Sequence, residues 1–338
     1  MSKAMPTAID CQSFAGGFAL GIVKSGFKLI GKKEYPGGFG APAMEGNRHI
    51  LGSDWELEAC DPGEWTVQEA DLVFGNPPCS AFSNRSVSVR GITDDGSKGY
   101  LNIRGSGSAI NDCMWELVSF AAECDPKIVI FESVQGAFKN GIDLMRDLHR
   151  ELIEYTQQDW NLYHVLHNSS HLGGAQKRGR YFWVAARIPF GVDPYFAGET
   201  TVRQRIGDLE HVELGSVDGH TIVETPRTAR IIELASKVEW NQDEVSGIAY
   251  QRAIDQNIKL DLWNEPLVSD KGITQYAPRR IRYDSPSRVL AGDALTNAVH
   301  PTQPRPLTHR EVARLTGFPD DWTCAPLRCF CEIKNKIK

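Results

Sequence analysis

Cys79 stands in the run Gly75-Asn76-Pro77-Pro78-Cys79-Ser80-Ala81-Phe82-Ser83, directly behind a short apolar strand, Asp71-Leu72-Val73-Phe74. A thiol on a rigid Pro-Pro shoulder at a strand's carboxyl end sits where open parallel sheets carry their chemistry, and it is a candidate nucleophile. Phe131-Glu132-Ser133-Val134 ends a second apolar strand with a carboxyl group suited to general acid–base work. Gln176-Lys177-Arg178-Gly179-Arg180 follows, and its two guanidinium groups could stabilise developing negative charge. Each residue alone has a plainer use. A cysteine after Pro-Pro often only packs, Glu132 could close an ion pair, and Arg178 with Arg180 could form an ordinary basic turn.

The elements that would carry these groups alternate. Thr7–Asp10, Phe27–Ile30 (ending near Glu34), Asp71–Phe74 and Lys127–Phe131 read as strands. Phe18–Ser25 reads as a helix, and Ile110, Met114, Leu117, Val118 and Ala121 repeat at helical spacing, as do Leu144, Met145, Leu148 and Leu152. Tyr163–Leu166 and Tyr181–Ala185 close the series as strands. Such alternation predicts a doubly wound α/β sheet. After residue 187 the rhythm breaks into Gly- and Pro-punctuated segments with a polar helix from Thr228 to Ser236. The expected organisation is therefore 1–187 as a first domain, 188–290 as an inserted lobe, and 291–338 as a return to the first domain.

The first strand-to-helix turn reads Asp10-Cys11-Gln12-Ser13-Phe14-Ala15-Gly16-Gly17-Phe18. Glycines there let backbone N–H groups and a helix N-terminus approach a ligand. Glu34, at the end of the second strand, is where a carboxylate meets ribose hydroxyls in dinucleotide folds, and Asp54 could hold an adenine amino group. A solvated surface role is open for either acid.

In their order and spacing these segments resemble the DNA cytosine-C5 methyltransferase family of bacterial or bacteriophage type. Leu307-Thr308-His309-Arg310-Glu311 and Gly317-Phe318-Pro319-Asp320 complete the set. The resemblance implies a Rossmann-like S-adenosylmethionine-dependent methyltransferase sheet with a smaller inserted target-recognition lobe. It also implies methyl transfer to carbon 5 of a cytosine flipped out of double-stranded DNA. In that scheme Cys79 adds to carbon 6, Glu132 handles the proton at ring nitrogen 3, and Arg178 and Arg180 support the base. Phe14, Ala15, Gly16, Gly17, Glu34, Asp54, Asn76 and Pro77 would seat S-adenosylmethionine.

The chain departs from the family pattern in three places. Gln12 stands where the usual first motif has phenylalanine, and Phe14 stands at its first glycine. Glu132-Ser133-Val134 replaces Glu-Asn-Val. The usual last Gly-Asn-Ser/Ala-Val motif is missing after Trp322. Phe14 leaves open a carboxylated S-adenosylmethionine analogue and transfer of a larger group, such as carboxymethyl. The missing motif leaves open a catalytically silent DNA-binding relative.

Between Ser83 and Ile110 a Gly- and Ser-rich loop carries Arg85, Arg90, Lys98 and Arg104, which is the charge a lid over a flipped nucleotide would need. Arg279, Arg280, Arg282 and Arg288 gather around one acid, Asp284, as a candidate strip for phosphate or base contact. The net charge of −6 argues mildly against a non-specific basic nucleic-acid coat and leaves open a DNA enzyme with a local positive surface. No apolar run suits a bilayer and no signal core follows Met1, so a cytoplasmic monomer without disulfides is expected, with a restriction nuclease as a candidate partner. Cys324, Cys329 and Cys331 lack the paired spacing of zinc sites, and no metal is expected.

Overall fold

The computed structural model describes residues 4–36, 41–83, 88–92, 98–102, 105–191, 195–236, 268–269, 272–273, 279–290 and 294–324. The chain divides into two compact units, one built from Met1–His167 and Gly179–Pro194, the other from Asn168–Arg178 and Tyr195–Lys338.

The first unit is built on a seven-stranded sheet. Its strands are β1 (Thr7–Cys11), β2 (Lys28–Glu34), β3 (Glu56–Ala59), β4 (Leu72–Gly75), β7 (Ile128–Val134), β8 (Asn161–Asn168) and β9 (Gly179–Ala186). They lie in the order β3-β2-β1-β4-β7-β9-β8. β3, β2, β1, β4 and β7 run parallel, and β9 turns antiparallel to β7. The chain steps outward from β1 to β2 and β3, then returns to place β4 on the other flank of β1. That reversal makes a crevice at the carboxyl ends of β1 and β4, the place where such sheets bind ligands. β5 (Ser88–Ile92) and β6 (Lys98–Asn102) form a separate antiparallel hairpin inside the segment expected as a loop.

The residues behave as their periodicity dictates. β4 is buried along its whole length. Helix Asp112–Glu123 buries Met114, Leu117, Val118 and Ala121, and helix Ile142–Thr156 buries Leu144, Met145, Leu148 and Leu152. Phe131 of β7 stacks on Trp183 of β9 with centroids 4.8 Å apart, and the Trp183 indole N–H donates to the Met145 carbonyl at 2.9 Å. This core fixes the strand ends from which the site residues project.

The second unit has its own apolar cluster, with Val202, Ile206, Ile281, Tyr283, Leu307 and Leu315 among its members. Helix Pro226–Ser236 matches the polar helix read from the sequence. The Thr308–Glu311 segment turns out to be architectural. Thr308 and Glu311 form a reciprocal capping box on helix His309–Leu315. Glu311 is buried and takes a bidentate pair from Arg305 at 2.7 and 2.8 Å. Arg310, also buried, donates to the carbonyls of Asp218, Pro319 and Trp322. These ties lie within the second unit, which includes 294–324.

One close approach is decisive for the crevice. Cys11 and Gly75 are in register at the ends of β1 and β4, and a Cβ on Gly75 would lie 2.0 Å from the Cys11 carbonyl oxygen and 2.7 Å from Leu117. Only glycine lets these strand ends meet. Gly75→Ala should therefore lower the unfolding free energy by about 1–3 kcal/mol, the usual cost of overpacking a tight core, read as a shifted urea midpoint. An unchanged midpoint would mean that the strand ends are not held this closely.

Candidate active site

The chemical groups meet at the ends of β4, β7 and β9. Glu132, on β7, is half-buried and shares its two carboxylate oxygens between two partners. Asn76, just past β4, donates its side-chain amide to one oxygen, and the Arg180 guanidinium on β9 pairs with the other. Arg180 arrives there because β7 and β9 are in antiparallel register, with Val134 opposite Arg180 and Phe182 opposite Glu132. A Cβ at Gly179 would lie 2.6 Å from the Gln135 carboxamide, which explains the glycine that begins β9.

Cys79 follows Asn76 across the Pro77-Pro78 step and precedes a short helical turn, Ser80–Phe82. Burial pushes its thiol up from the ordinary value, the Glu132 charge pushes it further, and Arg180 opposes both. The resting group is thus a thiol held beside a carboxylate and a guanidinium. Gly136 packs against the carbonyl of Phe82, where a Cβ would come within 2.1 Å, so the turn after Cys79 rests directly on the chain leaving β7.

The expected cofactor residues fall into two groups. Phe14 to Gly17 form the β1-to-helix turn, with Gly16 in the left-handed region at φ 82° as the N-cap of helix Gly17–Lys24. Phe18 anchors that helix edge-on to Phe74 and Phe182, at 4.9 and 5.8 Å between centroids. Glu34 ends β2, buried, with Lys32 at 3.2 Å and the Tyr35 N–H donating at 3.1 Å. Lys32 also holds Asp10 at 3.2 Å, and Asp10 in turn accepts from the Ser13 N–H. Burial raises the Asp10 carboxyl above its ordinary value, with Lys32 opposing. Phe14, at φ 55°, and Gln12, at φ 61°, both adopt the left-handed backbone that glycine favours. A side chain there costs about 1–2 kcal/mol, which is the physical consequence of losing the family's glycine at Phe14.

Two assignments change. Asp54 pairs with Lys28 at 3.0 Å, and Lys28 begins β2 whereas Glu34 ends it. A strand of that length spans about 20 Å, so Asp54 lies at the sheet's amino edge, away from the crevice. Asp61 lies near the carboxyl edge, because Ala59 at the end of β3 is in register with Glu34. It was missed because the short, half-polar β3 has no clear apolar run. Asn76 is engaged with Glu132, so it belongs to the chemical cluster, and Pro77 is buried beside it.

Arg178 lies in the second unit, where its N–H donates to the Gln176 carbonyl at 2.9 Å and its own carbonyl accepts from the Ser169 N–H at 3.0 Å. Of the candidate DNA contacts, Ser83 caps the turn after Cys79, and Arg90 stands opposite Tyr100 in the β5–β6 hairpin. Arg85 and Arg104 lie outside the described residues. Arg279 and Arg280 pair as a short strand with Ala298–Val299; within the candidate Arg strip, Arg280 is interior, only 2% exposed, and Arg282 is exposed. Asp284 is held by Arg203 at 2.6 Å. Among the described residues there is no cluster suited to a metal ion, and no helix is long and apolar enough to cross a membrane.

A family model described as C-5 cytosine-specific DNA methylase matches residues 7–335. This chain belongs to that family. It is similar to the type II methyltransferase M.PspPI of Psychrobacter sp., at 26% identity over 93% of this chain and 71% of the relative. It is also similar to the type II methyltransferase M.Eco47II of Escherichia coli, at 25% identity over 95% and 73%. A solved DNA modification methyltransferase encoded within an E. coli prophage shares the fold with a TM-score of 0.61 at 17% identity, over 98% of this chain and 94% of that one. The chain is therefore a DNA cytosine-5 methyltransferase by family, with an α/β sheet of the S-adenosylmethionine-dependent type.

The electrostatics of this methyltransferase site give a signed expectation. Glu132→Gln removes the charge that raises Cys79, so site-specific alkylation of Cys79 at pH 8 should quicken severalfold. Arg180→Met removes the opposing charge and should slow it. Peptide mass spectrometry after iodoacetamide pulses resolves Cys79 from the other cysteines, and equal rates in all three proteins would show that the two charges do not act on the thiol.

Proposed function

We propose that this chain transfers a methyl group from S-adenosylmethionine to carbon 5 of a cytosine flipped out of double-stranded DNA, through a covalent adduct with Cys79. The observation that carries this reading is the grouping of Cys79, Glu132 and Arg180 at neighbouring strand ends. Carbon 5 of cytosine is a poor nucleophile. A thiolate added to carbon 6 turns the ring into an enamine, which divides one hard step into easier ones. The Cys79 sulfur forms the bond to carbon 6 while Glu132 delivers a proton to ring nitrogen 3, and the displaced electron pair becomes available at carbon 5.

The proton lost by the Cys79 thiol balances the one that Glu132 delivers. With the base in place, the Cys79 proton passes to Glu132 and on to ring nitrogen 3, so Glu132 is neutral while the thiolate forms and does not oppose it. Arg180 keeps the carboxyl group aimed and offsets charge in the adduct. S-adenosylmethionine, when bound, supplies an electrophilic methyl group on a sulfonium and leaves as S-adenosylhomocysteine. Loss of the carbon 5 proton to solvent then lets the Cys79 sulfur depart as a thiolate, and the proton on ring nitrogen 3 returns through Glu132 to that sulfur, which restores both the ring and the thiol. Base flipping is required because carbons 5 and 6 must be reached by groups on the protein.

The crevice residues suit this cofactor. Gly16 at the helix N-terminus and the carboxylates of Glu34 and Asp61 share the carboxyl edge of the sheet, an arrangement that fits a nucleoside with hydroxyl and amino donors. The buried cations of this region, Lys32 and Lys33, are already paired with Asp10 and Glu34 and with Glu58. A carboxylated analogue would therefore bring a charge without a waiting partner, and the unmodified methyl donor is the better match. Arg282 and the β5–β6 hairpin are the proposed DNA contacts that remain. The relatives' type II designation supports sequence-specific modification beside a restriction nuclease.

The test is nucleoside mass spectrometry of DNA from cells expressing the wild type beside Cys79→Ala. A 5-methylcytosine peak that disappears with Cys79→Ala is expected. Undiminished 5-methylcytosine from Cys79→Ala would remove the covalent mechanism, and a heavier cytosine adduct would replace methyl transfer with transfer of a larger group.

A further inference from the structure

Gln12 is a buried glutamine, 5% exposed, and neither its carboxamide nitrogen nor its carboxamide oxygen has a hydrogen-bond partner. A fully unsatisfied buried amide is unfavourable, because its water is lost and nothing replaces it. The residue also stands in a left-handed backbone conformation, one that surrounding structure must impose on a non-glycine residue. Its position is informative. The Gln12 N–H donates to the Lys33 carbonyl at 2.9 Å, so Gln12 lies beside the residue that precedes Glu34, between the ends of β1 and β2.

Glu34 is itself partly occupied. One oxygen takes Lys32 at 3.2 Å and the other accepts the Tyr35 N–H at 3.1 Å. A carboxylate can only accept hydrogen bonds, whereas a ribose diol both donates and accepts. A carboxamide on the neighbouring strand end can supply the missing donor and a second acceptor. We propose that Gln12 is a positioning residue for the cofactor, its carboxamide hydrogen-bonding the ribose hydroxyls together with Glu34. The idea rests on the methyltransferase reading and concerns the position where the family's usual motif has phenylalanine. Because the amide is enclosed, a side-chain rotation accompanies ligand entry.

The experiment compares wild type, Gln12→Leu and Gln12→Met by calorimetric titration with S-adenosylhomocysteine and with its 2′-deoxy and 3′-deoxy ribose analogues. Thermal unfolding of each protein is measured without ligand. The wild type should bind S-adenosylhomocysteine on the order of tenfold more tightly than either variant. It should also lose affinity for at least one deoxy analogue, while the variants should barely distinguish the analogues. Without ligand, the variants should melt no lower than the wild type, since they bury no unpaired amide. Two variants guard against one that packs badly. Equal affinity of wild type and variants, or equal loss on removing a hydroxyl in all three, would overturn the assignment of Gln12. No binding of S-adenosylhomocysteine by the wild type would instead overturn the methyltransferase reading on which it rests, and the assignment with it.

Discussion

The grip of Glu132 on Asn76 and Arg180 is the interaction on which the rest of the site depends. It ties together the chain leaving β4, the end of β7 and the start of β9. Without it, the Pro77-Pro78 step would still lift Cys79 above the sheet, but the thiol would have no fixed charge beside it. With it, the carboxylate and guanidinium act on Cys79 in opposite directions, the carboxylate adding to the upward push of burial and the guanidinium opposing both. In the proposed mechanism a neutral resting Cys79 that ionises when the base arrives is protected from stray chemistry, since the thiolate is the reactive form.

That grip works because the backbone beneath it is closely packed. β1 and β4 meet where Gly75 leaves no room for a side chain, and Phe131 on Trp183 sets β7 against β9. The crevice side of the same edge is less relaxed. Gln12 and Phe14 adopt left-handed conformations, and the Gln12 amide is buried without a partner, so the turn is held in a costly form by the elements around it. Strain gathered at this strand-to-helix turn, next to a well-satisfied cluster, is the distribution expected if the turn holds the proposed cofactor.

Much of this was legible in the sequence. The strands carrying Cys79, Glu132 and Arg180 are strongly apolar, and the helices around Met114 and Leu148 have clean periodicity, so their placement followed from pattern alone. Asp54 misled because β3, a short edge strand of Glu-Leu-Glu-Ala, carries no such signal. Once β3 is missed, the acid at its carboxyl end, Asp61, has no element to mark it. The β5–β6 hairpin was hidden for the same reason, its segments being rich in Gly, Ser and charge. Arg280 and the Thr308–Glu311 segment show a different limit. Charged residues look like surface in a sequence, yet Arg280, Arg310 and Glu311 are interior; Arg310 is held by Asp218, far away in the chain, and Glu311 by Arg305, six positions before it.

The most direct measurement of the covalent reading uses DNA in which every cytosine is 5-fluorocytosine, incubated with the protein and S-adenosylmethionine. Fluorine at carbon 5 cannot leave as a proton does, so the sulfur bond to carbon 6 should persist. The expected result is a protein–DNA species that survives denaturation, with the nucleotide mass mapped to the peptide containing Cys79. DNA that binds and carries methylated fluorocytosine without any such species, or an adduct mapped to another cysteine, would contradict the role given to Cys79.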